Sequence, residues 1–206
     1  MTNNIDYPKL VKSFYLQPDV VEASRRLLGK VLVTRFNGIL TAGKIVETEA
    51  YAGITDRASH AYGARKTDRT RIMYAAGGVS YIYLCYGIHH LFNVITNRED
   101  IPHAVLVRAL EPLDGIEWMQ KRRNLNRVQR NLTGGPGLLT QAMGIQTTHS
   151  GTDLTGDTIW IEDRNFRVGA GDILCSPRVG VLYAGDDAGK PWRFRLKNNL
   201  FTSPAI

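Results

Sequence analysis

The spacing of apolar residues changes along the chain, and each change marks an element. In "QPDVVEASRRLLGK" Val20, Ala23, Leu27 and Leu28 recur at helical spacing. Asp19 and Glu22 stand at capping-box distance before that stripe, and Gly29 fits the position just past its end. "KVLVTRF" and "ILTAGKIVETEAY" are strand-like runs on either side of Asn37-Gly38. That dipeptide predicts a hairpin, because both turn residues need positive φ. "VSYIYLCYGIHHLFNVIT" predicts a second hairpin turning near Gly87, and "AVLVRAL" (104–110) another strand. "EPLDGIEWMQKRRN" reads as a helix with Pro112 near its first position and a basic last turn. A polar, basic loop, "NLNRVQRNLTGGPG", leads into a short helix, "LLTQAMGI", and "DTIWIED" through "GKPWRFRL" supplies further strands. With no repeat, low-complexity segment or linker, the pattern predicts one α+β domain over 1–206. It is a mixed, mainly antiparallel sheet with surrounding helices and a protruding β-hairpin. A short flexible N-terminus of about 15 residues precedes the first helix.

The strand through "IVETEAY" departs from the ordinary apolar face. A period of two puts Ile45, Glu47, Glu49 and Tyr51 on one side and Val46, Thr48 and Ala50 on the other. A face with two glutamates and a tyrosine is either washed by solvent or lines a polar pocket. The loop that follows adds His60 and a basic run with Arg65, Lys66, Arg69 and Arg71, which favours a site for something anionic. In "YIYLCYG" Tyr81 and Tyr83 share a face, while Tyr86 stands at the turn. Tyr86 suits either ordinary tyrosine packing or a wedge into a duplex, and Tyr83 either packing or a platform for a base. Arg108 lies among apolar neighbours, with Ala104, Leu106 and Leu110 expected on its face, and must find a partner there. That partner is a structural carboxylate, or a catalytic one that Arg108 helps to hold.

Charge narrows the choice of partner. The 206 residues carry a formal charge of +7, 43% hydrophobic and 22% charged residues, and the pI is about 9.5. Such an excess points to nucleic acid before anionic membrane. No apolar run approaches the ~20 residues of a membrane span, and the amino terminus has no apolar core of a secretory signal. A cytoplasmic protein without membrane attachment is expected. Cys85 and Cys175 have no metal or redox spacing, and the adjacent His89 and His90 project to opposite faces, so no metal site is expected. "TGGPG" (133–137) resembles a phosphate-cradling helix entry but lacks the lysine of a P-loop.

The strings "IVETEAYAGITDRASHAYGARKTDRTRIMYAAGGVSYIYLCYGIHHLFNVIT", "AVLVRALEPLDGI", "TGGPGLLTQAMGI" and "KPWRF" occur in this order. Together they resemble the alkyladenine (3-methyladenine) DNA glycosylase family, from about Arg26 to Phe201. The resemblance implies a monofunctional base-excision repair enzyme acting at the bacterial nucleoid; no cofactor is expected, and a monomer is the default for a small enzyme that scans duplex DNA. It would flip alkylated or deaminated purines out of duplex DNA and hydrolyse the N-glycosidic bond. By that resemblance Glu49 is the general base and Arg108 helps to hold its water. Tyr51, His60 and Tyr83 contact the flipped base, and Asn93 excludes the exocyclic amine of guanine. Tyr86 fills the gap in the duplex, while Arg65 and Thr67 touch the DNA backbone, with Arg69 beside them in the basic run. "GIHHLF" departs from the more hydrophobic runs of the group. Two rivals predict different behaviour: a non-catalytic damage-binding protein, indifferent to Glu49→Gln, and a carbohydrate glycosidase using Glu47 with Glu49.

Overall fold

Asn37 (φ 52°) and Gly38 (φ 78°) turn the chain between β1 (Val31–Phe36) and β2 (Ile39–Ala52). Two consecutive positive φ values match the right-handed twist of the paired strands, so the register starts at Phe36↔Ile39. The structure, a computed structural model, describes residues 7–203. Ahead of the hairpin come α1 (Lys12–Tyr15) and α2 (Val20–Leu27). Asp19 caps α2 by accepting from the Val21 and Glu22 amides at 2.8 and 3.2 Å. Val20, Ala23, Leu27 and Leu28 are buried as the spacing predicts, and Gly29 takes φ 81°. Of the stretch expected to be flexible, residues 1–6 lie outside the described residues. From there the chain is docked: the Lys9 backbone forms an isolated antiparallel β-bridge with Glu162, and Tyr15 is fully buried.

The second hairpin joins β3 (Ser80–Cys85) to β4 (His89–Thr96), and β5 (His103–Asp114) follows. After α3 (Ile116–Arg123) and α4 (Pro136–Met143) come β6 (Ile159–Glu162), β7 (Ile173–Ser176) and β8 (Arg193–Leu196). The sheet runs β3-β4-β5-β2-β1-β6, with β8 joined to both β2 and β7. Each of these ladders is antiparallel. β1 occupies one edge of β2 as far as Lys44, and β8 takes over that edge at Glu47. β2 is therefore central, flanked along its length and shielded from water. The main core lies on one face, where Leu27 of α2, Ile45 and Ala50 of β2, Val105 and Val107 of β5, and Leu139 of α4 pack together.

Two bulges break the expected parity. Against β5, Ile45 pairs with Leu110 and Glu47 with Ala109, so Val46 is extra; Glu47 pairs with Ala109 and Thr48 with Val107, so Arg108 is extra. An extra residue turns neighbouring side chains to the same side. Ile45 therefore leaves the glutamate face and joins the main core, while Val46 packs with Ala109 and Phe201 on the opposite side. Leu110 likewise moves to the main core, away from Arg108. The bulges bring Glu47, Glu49, Tyr51 and Arg108 onto one face.

The third helix starts later than its sequence suggests. Pro112 is a strand residue opposite Gly43, next to a register shift, the kind of irregularity at which a strand admits proline. β5 runs on to Asp114, and α3 begins only after Gly115 at φ 67°. A Cβ at Gly115 would stand 2.2 Å from the Leu40 carbonyl, so the turn admits only glycine.

Candidate active site

A cavity of about 590 Å³ opens where the ends of β2, β3, β4 and β5 meet the loops after β2 and β7. Tyr51, His60, Tyr83, Asn93 and Arg108 line it, and Tyr86 stands at its mouth from the hairpin tip. Tyr86 is 90% exposed and holds φ 51° in the three-residue loop that reverses the chain. Such exposure of an aromatic ring at a tip is unusual for packing. Arg69 also reaches the cavity, while Arg65 and Thr67 lie in an adjoining groove. Glu49 is fully buried immediately behind the wall formed by Tyr51, Arg108 and Val179.

The two glutamates have different roles in the wiring. Glu47 Oε1 accepts from Arg108 Nε, Arg193 Nε and Ser203 Oγ, each at 2.8 Å, and Oε2 accepts from the Ser203 amide at 2.6 Å. Burial by itself would raise its pKa, but Arg108, Arg193 and the Ser203 hydrogen bond outweigh that and hold it below the usual carboxylate range. No acceptor position on Oε1 is left, and the side chain does not reach the cavity. A pair of carboxylates flanking a sugar is thereby excluded. Glu49 instead accepts the Tyr51 hydroxyl on Oε2 at 2.8 Å, faces Arg108 Nη1 at 3.2 Å, and accepts the Val179 amide on Oε1 at 2.8 Å. Arg108 thus bridges both carboxylates, which accounts for an arginine only 7% exposed.

Aromatic rings form much of the wall. His60 sits edge-on to Tyr83 with centroids 4.6 Å apart, and its Nδ1 lies 2.9 Å from the Tyr81 hydroxyl. Burial, with the positive charges of Arg69 and Arg65, lowers the His60 pKa to about 4. The imidazole is therefore neutral in the cell, one nitrogen donating and the other accepting. Burial also lifts the Tyr51 hydroxyl, with Glu49 adding to the effect, so it remains a donor. The depressed His60 value has a consequence for stability. Between the unfolded value of about 6.5 and about 4, only the unfolded chain takes up this proton, so stability falls as pH drops through that window. In urea unfolding between pH 7.5 and 4, His60→Gln should lose less stability than the parent. A pH-independent difference would refute the assignment.

The asparagine and the arginines are placed by the surrounding backbone. Asn93 donates through Nδ2 to the Tyr81 and Leu91 carbonyls, which leaves its Oδ1 as the acceptor for the cavity. Arg69 lies over the Tyr83 ring at 5.0 Å, linking the cavity to a groove that also contains Arg57, Arg65 and Thr67. Thr67 and Thr70 staple this loop through hydroxyl and amide contacts of 2.8–3.3 Å. "TGGPG" does enter a helix, and Gly135 to Leu138 lie on the cavity rim. A Cβ on Gly137 would meet the His89 ring at 2.8 Å, so this glycine lets α4 approach the hairpin.

Several contributors have no local signature. Arg178 is buried, makes a bidentate pair with Asp56, and donates to the Ala50 carbonyl at 2.9 Å. Its guanidinium stacks 4.8 Å from the Tyr51 ring. This clamp fixes the backbone at Val179, whose amide holds Glu49. Arg193 and Ser203 complete the Glu47 cage from the far end of the chain. Only Arg193, in the alternating "WRFRL" run that pairs with the glutamate strand, had a signal in the sequence.

A tyrosine-walled cavity with a buried glutamate behind it and three arginines beside it can accept a flat ring attached to a phosphate chain. Comparison with known proteins places the chain in a family. The family model for methylpurine-DNA glycosylase (MPG) matches residues 13–200. A protein of Chlamydia abortus is 45% identical over 91% of this chain and 97% of its own length. One of Clostridium acetobutylicum is 43% identical over 95% of this chain and 97% of its own. One of Bacillus anthracis is 43% identical over 93% and 97%. All three carry the name "Putative 3-methyladenine DNA glycosylase". With the match spanning nearly the whole fold, cavity and bulged strands included, the chain belongs to the methylpurine-DNA glycosylase family.

Proposed function

We propose that this protein removes alkylated or deaminated purines from duplex DNA by hydrolysing the N-glycosidic bond, the first step of base excision repair. The observation that carries the reading is the juxtaposition of the Glu49 carboxylate with the aromatic cavity, one hydrogen bond behind Tyr51 and Val179. A base stacked in a duplex cannot enter such a cavity, so the nucleotide must be extruded at a cost of a few kcal/mol. Tyr86, projecting beside the mouth, fills the vacated space and offsets part of that cost. Tyr51 and Tyr83 offer π faces to a purine made cationic by N3 or N7 alkylation, a contact of about 0.5–2 kcal/mol. Neutral His60 hydrogen-bonds the base edge, and Asn93 opposes guanine's exocyclic amine by its bulk, since its free acceptor oxygen would attract that amine.

Glu49 carries the chemistry. Tyr51 donates to Oε2 and the Val179 amide to Oε1, while Arg108 pairs with Oε2 as a counter-charge. The position left on Oε1 takes a proton from a water that attacks C1′ as the C1′–N bond breaks. The bonding pair leaves with the base, which departs neutral if it was alkylated and cationic, and as an anion that takes a proton from solvent if it was a neutral deaminated purine. Arg108 holds the carboxylate in place while charge develops at the sugar. Among the described residues no helix is long and apolar enough to cross a membrane. The protein works as a monomer in the cytoplasm, on DNA in the nucleoid.

The test is a gel assay on duplex DNA carrying one 7-methylguanine, hypoxanthine or ethenoadenine, followed by alkali cleavage of abasic sites. Excision of at least one lesion is expected, and binding without abasic product would establish a damage-binding protein instead. Phosphate contacts by Arg57, Arg65 and Arg69 should make log Kd rise with log salt by roughly 0.9 per contact.

A further inference from the structure

The cavity mouth beside Tyr51 carries a second exposed apolar feature, formed by Leu182 and Tyr183 in the segment after β7. Leu182 is 91% exposed and Tyr183 71%. Their neighbours on either side, Val181 and Ala184, are buried against Ala58 and pack with Tyr51. The segment is held rigidly: Arg178 donates to the Asp187 carbonyl at 3.1 Å, and Asp187 accepts the Arg57 amide at 2.8 Å. A firm base therefore presents two large side chains to solvent, Leu182 and the Tyr183 ring, whose hydroxyl donates to the Ala58 carbonyl at 3.3 Å, an arrangement that costs solvation.

What surrounds the pair identifies its partner. Tyr183 lines the base cavity together with Tyr86, and it also lines the groove of Arg57, Arg65 and Arg69. It thus stands between the aromatic slot and a cationic channel. A partner seated here must be flat and apolar on one side and anionic on the other, as a nucleotide flanking the lesion is. We infer that Leu182 and Tyr183 form a second prong that packs into the duplex beside the extruded nucleotide, acting together with Tyr86 at the mouth of the same cavity. This inference rests on the glycosylase reading of the same cavity. Leu182 supplies a wedge against the flanking base pair, and the Tyr183 ring covers the sugar or base next to the phosphates held by the arginines.

The consequence is specific to duplex substrate, because a single strand has no stack to hold open. Single-turnover excision is measured for the parent, Leu182→Ala and the double variant Leu182→Ala/Tyr183→Ala. The substrates are one lesion in duplex and the same oligonucleotide single-stranded. Leu182→Ala, which touches no cavity wall, should lose several-fold on duplex while keeping its single-strand rate and its thermal midpoint, and the double variant should lose roughly tenfold on duplex. Equal losses on both substrates, no loss on either, or a loss traced to dissociation of a parent dimer in sedimentation would each overturn the inference. If the parent itself excises no lesion, the functional reading fails, which is a separate outcome.

Discussion

Glu49→Gln should bind lesion-bearing duplex within a few-fold of the parent yet excise about 10²- to 10⁴-fold more slowly in single turnover. The substitution preserves the shape of the side chain and the burial that Tyr51, Arg108 and Val179 impose. It removes the ability to take a proton from water. It also turns one acceptor oxygen into an NH₂ group, which must face either the Val179 amide or the Arg108 guanidinium, donor against donor. The expected signature is a retained shift in a binding gel with almost no abasic product. A near-parental rate would remove Glu49 from the chemistry and leave the buried cage without a catalytic explanation.

Arg108→Ala is the most damaging substitution for stability that the site predicts. Arg108 serves Glu47 at 2.8 Å and Glu49 at 3.2 Å from a position almost sealed from water. Its loss strips a shared counter-charge from two buried carboxylates, and breaking a buried pair typically costs 3–5 kcal/mol. For a chain of this size that is a thermal midpoint lower by roughly 6–20 °C. Glu47 retains Arg193 and Ser203, which places the expected loss toward the lower end. Lysine should restore only part of it, because one ammonium cannot present two separated donors to two acids. The pH dependence has a definite sign. Glu47 is held low in the folded state, so the stability from its pairing is present at neutral pH and disappears as pH falls through its depressed pKa. Parent and variant unfolding curves in urea should therefore converge on acidification. Identical midpoints at pH 7 would contradict the bridging role.

Both predictions depend on residues whose importance was unequally visible beforehand. Asp19, the Asn37-Gly38 turn and the tip near Gly87 act through neighbours a few positions away, and the structure places them as their spacing predicts. Tyr51, His60, Tyr83 and Asn93 needed the family resemblance to be brought together, and the fold does bring them to one cavity. Parity misplaced Ile45 and Leu110, and a proline rule misplaced the start of α3. Both errors arise at points where β2 and β5 fall out of step. A strand read alone carries no mark of where its partner will gain or lose a residue.

Short-range chemistry, then, was written in the chain: turns, caps, strand periodicity, the cationic excess and the run of acid, tyrosine and histidine. Folding decided how the acids are used. Two bulges turn Arg108 toward both glutamates, and segments from the far end of the chain deliver the Val179 amide, Arg193 and Ser203. Glu47 and Glu49 are two residues apart with the same side chain. One is saturated by donors and the other keeps an acceptor position because of partners 130 to 156 residues away. Hydrogen bonding acts over about 3 Å of space without regard to distance along the chain, so only the assembled fold distinguishes them.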